Sequence, residues 1–186
     1  MAETLTARRP LDGLTAAPAL GLAAASPAAR FVLRGRPQAL SAAETVLGLS
    51  LPREACRSAS AGERHALWLG PDEWLLLAPE GEAEGLAAAL EAAMAGLPHA
   101  LVEVSQRQTG VLLSGPRAVD LLNVGCPLDL DPAAFPVGMC SRTLVAKAEV
   151  VLWRTGPEAF HVEVWRSFAA YLWGLLQAGG YETGNG

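Results

Sequence analysis

The stretch HALWLGPDEWLLLAPEG, residues 65–81, constrains the fold more than any other part of this chain. Two apolar runs flank Gly70-Pro71-Asp72. Pro71 presets its own backbone angle for a reversal, and the Asp72 side chain can bond back to the main chain, so the polypeptide must turn there. The pair reads as a β-hairpin. A hairpin this apolar needs another layer to cover it.

The remaining elements arrange themselves around it. RFVLRG (30–35) reads as a strand. In the segment that follows, Leu40, Ala43, Val46 and Leu47 recur at helical spacing, with Gly48 as the stop. EAEGLAAALEAAMAGLP is a second helix, with acids in its first turn and Gly96 and Pro98 at its end. HALVEVSQRQTGVLLSGP reads as two strands around a polar turn at Gln106 and Arg107. GPRAVDLLNVG is a short helix, with Pro116 in its first turn and Gly125 as its cap. RTLVAKAEVVLWRTGPEAFHVEVW reads as one long hairpin turning at Thr155-Gly156-Pro157, and RSFAAYLWGLLQAGG as a last helix stopped by Gly179-Gly180. Hairpins outnumber parallel crossovers. This predicts an α+β fold: mainly antiparallel sheet, helices packed on one face, and two related α/β halves without a fixed-period repeat. Residues 1–29 read as an extended arm. Residues 30–180 form one domain or two interlocked subdomains, and 181–186 are a tail.

Composition narrows the function. Net charge is -5 and the basic residues do not cluster, which argues against nucleic-acid binding. No strongly apolar run reaches about 18 residues, so no membrane helix is expected. Pro10, Asp12 and Pro18 interrupt the Ala-rich run after the twin arginines, which argues against a cleaved signal. Three cysteines at irregular spacing fit free thiols in a reducing, cytoplasmic setting.

The motifs of common chemistries are missing. There is no GxSxG, GxGxxG or GxxxxGK[ST]. GCPLDLDPAAFPVGMC (125–140) concentrates Cys, Pro and Asp, but its spacing is not that of a metal site. Cys126 follows a helix C-terminus, the wrong end of the dipole for a thiolate. Cys126 and Cys140 therefore read as packed thiols, and the stretch as a proline-stiffened connection. No catalytic residue is assigned. In LVAKAEVVLW, Leu144, Ala146, Ala148, Val150 and Leu152 alternate onto one face, leaving Lys147, Glu149, Val151 and Trp153 on the other. His161, Glu163 and Trp165 match that second face on the partner strand. Glu149 and Glu163 read as exposed or paired with Lys147. Trp153, Trp165, Lys147, Glu149 and His161 are the candidate interface, unless the chain's own helix or arm covers them.

Several of these stretches together resemble a known family. LGPDEWLLLAP, VEVSQRQTGVLLSGPRAVDLLNVGCPLDL, FPVGMCSRTLVAKAEVVLWR and FHVEVWRSFAAYLWGLL occur in the order seen in gamma subunits of heterotetrameric sarcosine oxidase, across roughly residues 65–178. The resemblance implies a fold like the folate-binding domain of aminomethyltransferases. It implies a cytoplasmic complex that oxidatively demethylates sarcosine to glycine, makes hydrogen peroxide and passes the one-carbon unit to tetrahydrofolate. It implies that this chain packs directly on the alpha subunit, with beta and delta in the same complex. FAD, FMN, NAD, zinc and tetrahydrofolate would sit on other subunits, and this chain would hold no cofactor and no metal. The alternative is a folate-binding one-carbon-transfer module, with Glu103 and Arg107 lining the pocket and Arg142 or Arg166 reading the glutamate tail. Glu103 departs from the Asp common in aminomethyltransferase-like domains, which shifts any folate-contacting carboxylate by a bond length.

Overall fold

The computed structural model describes residues 9–14 and 18–182, with side chains as far as Gly180. The start of the arm, with the first of the twin arginines, and the end of the tail lie outside the described residues.

The described strands form two five-stranded antiparallel sheets. The elements run β1 (Leu22–Ala24), β2 (Ala28–Gly35), α1 (Pro37–Leu47), β3 (Ser58–Ala61), β4 (Arg64–Gly70), β5 (Glu73–Pro79), α2 (Ala83–Ala93), β6 (His99–Glu103), β7 (Gln108–Ser114), α3 (Ala118–Asn123), β8 (Cys140–Val145), β9 (Ala148–Gly156), β10 (Ala159–Trp165) and α4 (Ala169–Glu182). One sheet has the order β1-β7-β10-β9-β8 and the other β3-β4-β5-β2-β6. The hairpin at Pro71-Asp72 is β4–β5, as the turn chemistry requires.

Strand alternation sorts the core into layers. Phe31, Leu33, Trp74 and Leu76 face α1 and α2. Val111, Leu113, Leu152, Phe160 and Val162 face α3 and α4. The opposite faces meet each other through Leu67, Leu75, Leu77, Val151 and Trp153. Helices thus cover one face of each sheet, and the sheets pack together in the middle. Each fully buried Leu, Phe or Trp contributes roughly 1.5–3 kcal/mol or more.

The halves are related and interlocked. The run β2-α1-β3-β4-β5-α2 repeats as β7-α3-β8-β9-β10-α4, with the same strand order in each sheet. The strand before each run crosses over: β1 pairs with β7, and β6 pairs with β2. Trp74 opposite Leu33 corresponds to Phe160 opposite Leu113. The segment expected as an extended arm thus contains a strand that closes the second sheet, where Leu22 is buried.

Four expectations are corrected. The segment around residues 143–153 is not one strand: Ala146, at φ 51, and Lys147 form a tight turn between β8 and β9. The phase flips there, so Val145 is buried while Leu144 is 49% exposed. Gln106 and Arg107 do not close a hairpin, because β6 and β7 belong to different sheets. Gly179 and Gly180 do not stop α4, which runs on to Glu182. They let Val124 and Leu20 approach, since a Cβ on either would come within 2.5 Å of those side chains. Gly125 lies past the end of α3 with its carbonyl accepting the Ala146 N–H at 2.8 Å, and a Cβ there would stand 2.6 Å from that nitrogen.

The Cys- and Pro-rich connection is a built loop. Asp129 and Asp131 side chains accept backbone N–H bonds two residues on, from Asp131 and Ala133 at 2.9 and 2.8 Å. Arg154, 2% exposed, donates from Nη1 to the carbonyls of Leu130 and Phe135 at 3.0 and 2.9 Å. Its guanidinium lies over the Phe160 ring at 5.0 Å. Cys126 and Cys140 are buried free thiols.

Candidate functional site

A cluster of polar groups lies between the two sheets. Arg30 on β2 reaches across to Glu163 on β10 with two bonds, Nε to Oε2 at 2.6 Å and Nη2 to Oε1 at 2.9 Å. Their side chains are 5% and 1% exposed. Arg30 Nη1 donates to the Ala28 carbonyl at 3.0 Å, and the Arg30 backbone N–H donates to Ser105 Oγ at 2.9 Å. Burial pushes the Glu163 carboxyl up, but His161 and Arg30 outweigh it and hold the carboxyl below its usual range. His161 Nε2 sits 2.7 Å from Glu163 Oε1.

The histidine continues the cluster. The Trp153 ring lies 5.9 Å from the His161 ring and 5.0 Å from the His65 ring. His65 Nδ1 is 2.8 Å from Ser60 Oγ. Burial, and then the nearby His161, lower the His65 pKa. Gly110, opposite Glu163 on β7, makes the space: a Cβ there would stand 2.6 Å from His161 Nε2.

A cleft of about 280 Å³ is lined by His65, Leu77 and His161 of this cluster, and two more bear on the proposed ligand residues. One of about 410 Å³ is lined by Arg9, Arg30, Ser105, Gln108 and Arg166. The other, about 170 Å³, opens where the sheets part and is lined by Val32, Leu75, Arg107, Arg142, Glu149 and Trp165. Gln108 borders both.

The proposed folate residues divide between them. Arg107 and Arg142 share the smaller cleft, and Arg166 lies on the larger one. Arg107 lies over the Trp165 ring at 5.2 Å, and Arg142 is paired with Glu73. Arg166 donates to the Gln106 carbonyl at 3.4 Å. Glu103 is exposed at the end of β6 and lines neither cleft.

The candidate interface residues also separate. Trp165, Glu149 and Lys147 are exposed. Trp153, at 8% exposure, is not on an outer surface, because the sheet of β3, β4 and β5 covers it, and the His161 side chain, 15% exposed, is turned to Glu163. Glu163 is neither exposed nor paired with Lys147; it is the partner of Arg30. Arg30 and His65 were missed from sequence. The available signal was a charged residue at an inward position of an otherwise apolar strand, matched by Glu163 on another. Among the described residues no group of three His, Cys, Asp or Glu side chains is placed to hold a metal, and no helix is long and apolar enough to cross a membrane.

Comparison with known proteins follows the same lines. Residues 34–182 match the model of the sarcosine oxidase gamma subunit family. The chain is 43% identical over 123 residues to a sarcosine oxidase subunit gamma of Arthrobacter sp., covering 66% of this chain and 60% of the relative. It is 41% identical over 126 residues to the same subunit of Corynebacterium sp. (strain P-1), covering 67% of this chain and 61% of that one. The matches thus span about 60% of the length of these curated relatives. In three dimensions it resembles a chain of heterotetrameric sarcosine oxidase from Corynebacterium sp. U-96, solved with pyrrole 2-carboxylate. There the TM-score is 0.84 and the identity 28%, with 94% of this chain and 95% of that one covered. It also shares a fold with part of aminomethyltransferase T of the glycine cleavage system from Bartonella henselae. That likeness has a TM-score of 0.65 at 18% identity, covering 84% of this chain and 45% of that one.

Proposed function

The chain belongs to the sarcosine oxidase gamma subunit family, and from that membership we propose that it is a non-catalytic structural subunit of a heterotetrameric sarcosine oxidase. In this reading it packs on the alpha subunit, with beta and delta in the same cytoplasmic complex. That complex converts sarcosine to glycine with release of hydrogen peroxide and transfer of the one-carbon unit to tetrahydrofolate. FAD, FMN, NAD and zinc are carried by the other chains.

The observation that carries the proposal is the end-to-end fold match to one chain of a heterotetramer. The interior supports it. The reactive-looking groups are consumed by structural contacts: Glu163 by Arg30 and His161, and Arg154 by loop carbonyls. Co-expression with the alpha subunit tests it. The expected result is a stable complex on size exclusion; a chain that elutes alone beside soluble alpha overturns it.

A second reading has one observation in its favour. Arg107, Arg142 and Trp165 meet around a single cleft, a setting that suits a flat, carboxylate-bearing ligand. As a folate module the chain would release or absorb heat on titration with tetrahydrofolate. A flat calorimetric trace at high ligand concentration removes that reading.

A further inference from the structure

The two sheets do not cover each other completely. The smaller cleft lies where they part, walled by Val32 and Leu75 from one sheet and Val151 and Trp165 from the other. Register widens this opening. Val102 stands directly opposite Val32, and Leu144 directly opposite Glu149, so both share the cleft's face. Val102 is 54% exposed, Leu144 49% and Trp165 42%. Apolar side chains scattered singly over a surface need no explanation, but here Trp165 lines the cleft while Val102 and Leu144 stand beside its lining residues Val32 and Glu149.

A polar observation points the same way. The Arg107 guanidinium lies over Trp165 at 5.2 Å, and among the described residues no carboxylate meets it. Arginine stacked on tryptophan at the edge of an apolar pocket is the composition of an interface anchor. The neighbouring β6 is an edge strand, so one side of its backbone is open to an added strand.

We propose that this opening is the docking site for the alpha subunit. An extended segment of that chain would lay an apolar side chain over Val102, Leu144 and Trp165. It would place a carboxylate on Arg107. The inference rests on the reading that this chain is a structural subunit; it adds the surface and the chemistry of the partner segment.

Co-purification with alpha, using the full chain, separates the two ideas. Trp165→Ala and Arg107→Glu are expected to weaken binding about tenfold or more each. Val137→Ser, exposed in the loop before β8 and away from the cleft, is expected to bind like wild type. Wild type that binds alongside undiminished cleft variants overturns the docking site and leaves the structural role standing. Wild type that does not bind overturns both. A photo-cross-linking residue guards against misfolding artefacts. At position 144 it is expected to capture alpha and at 137 not to; capture from 137 alone overturns the site.

Discussion

Arg30 and Glu163, 133 residues apart in the chain, meet as a doubly bonded ion pair buried between the two sheets. Each comes from a different half of the molecule, β2 in one and β10 in the other. The position matching Arg30 in the second half is Gly110, opposite Glu163 as Arg30 is opposite Leu77. The related halves therefore differ at their junction: one provides the guanidinium, and the other the carboxylate and the space for it.

Removing one partner of this pair strands a buried charge. Glu163→Gln is expected to lower unfolding stability by about 3–5 kcal/mol in urea titrations. The double variant Arg30→Met, Glu163→Leu is expected to recover most of that loss, because an apolar pair of similar size leaves nothing unpaired. A double variant as unstable as the single one would show that the pair does more than neutralise itself.

The pH dependence has a defined sign. The Glu163 value is lowered in the folded chain, so its stabilisation is complete above the usual carboxylate range and is lost as pH falls through the lowered value. His65 is lowered from 6.5 by burial and by His161. Below about 6.5 the unfolded chain takes up a proton at His65 before the folded one does, which costs stability until the lowered folded value is passed. His99, raised by the Leu97 carbonyl and Glu91, works in the opposite direction in both proteins, so the prediction is a difference: His65→Gln is expected to lose less stability than wild type between about pH 7.5 and 5.5, read as the urea midpoint. An equal slope in that variant would place the proton uptake elsewhere.

Glycines in the second half should respond in opposite directions. Gly110→Ala puts a methyl group 2.6 Å from His161 Nε2 and 2.7 Å from Ala25 Cβ, and is expected to cost about 1–3 kcal/mol. Gly174, exposed in α4 with nothing near its Cβ position, is expected to gain about 0.5–1 kcal/mol as Ala. Thermal unfolding of the two variants checks both signs.

The thiols differ in reach. Burial, the dominant cause, pushes Cys140 up to about 12, and Cys126 is buried beneath the loop. At pH 8 a thiol reagent is expected to modify Cys56 alone until denaturant is added, read by mass spectrometry. Cys126→Ala is expected to leave complex assembly and turnover unchanged; loss of turnover in an assembled complex would give that thiol a chemical role.

Arg154 holds the loop that GCPLDLDPAAFPVGMC forms. Arg154→Ala removes the donors to Leu130 and Phe135 and is expected to cost about 3 kcal/mol. Faster amide exchange across residues 130–136, with exchange in β4 and β5 unchanged, would locate the loss in the loop.

Much of the fold was legible because it depends on local chemistry. Pro71-Asp72 demands a reversal, Gly48 at φ 70 ends α1 with its N–H on the Glu44 carbonyl, and the Ala- and Leu-rich run after Glu82 forms α2. The Ala146-Lys147 turn was invisible because an alanine in the left-handed region carries no turn signature; the tertiary contact with Gly125 holds it there. The two related halves were legible in the order of elements, but their residue-by-residue correspondence was not. Phe31 matches Val111 at an offset of 80, but Leu76 matches Val162 at 86, because the loop before β8 shifts the spacing.

By itself, the sequence determined the types of most elements, their order, and the family the chain resembles, since turn residues and apolar periodicity act over a few neighbours. Which strands share a sheet was decided only in three dimensions, where β1 and β6 each complete the other half. The site followed from that exchange. Trp153 changed from an outward anchor to a ring between two histidines, because β4 and β5 of the other sheet lie over it. Trp165, on the same sheet face as Trp153, stayed in water because the sheets part there. Alternation specifies which face a side chain takes; only the packing of the sheets specifies whether that face is covered.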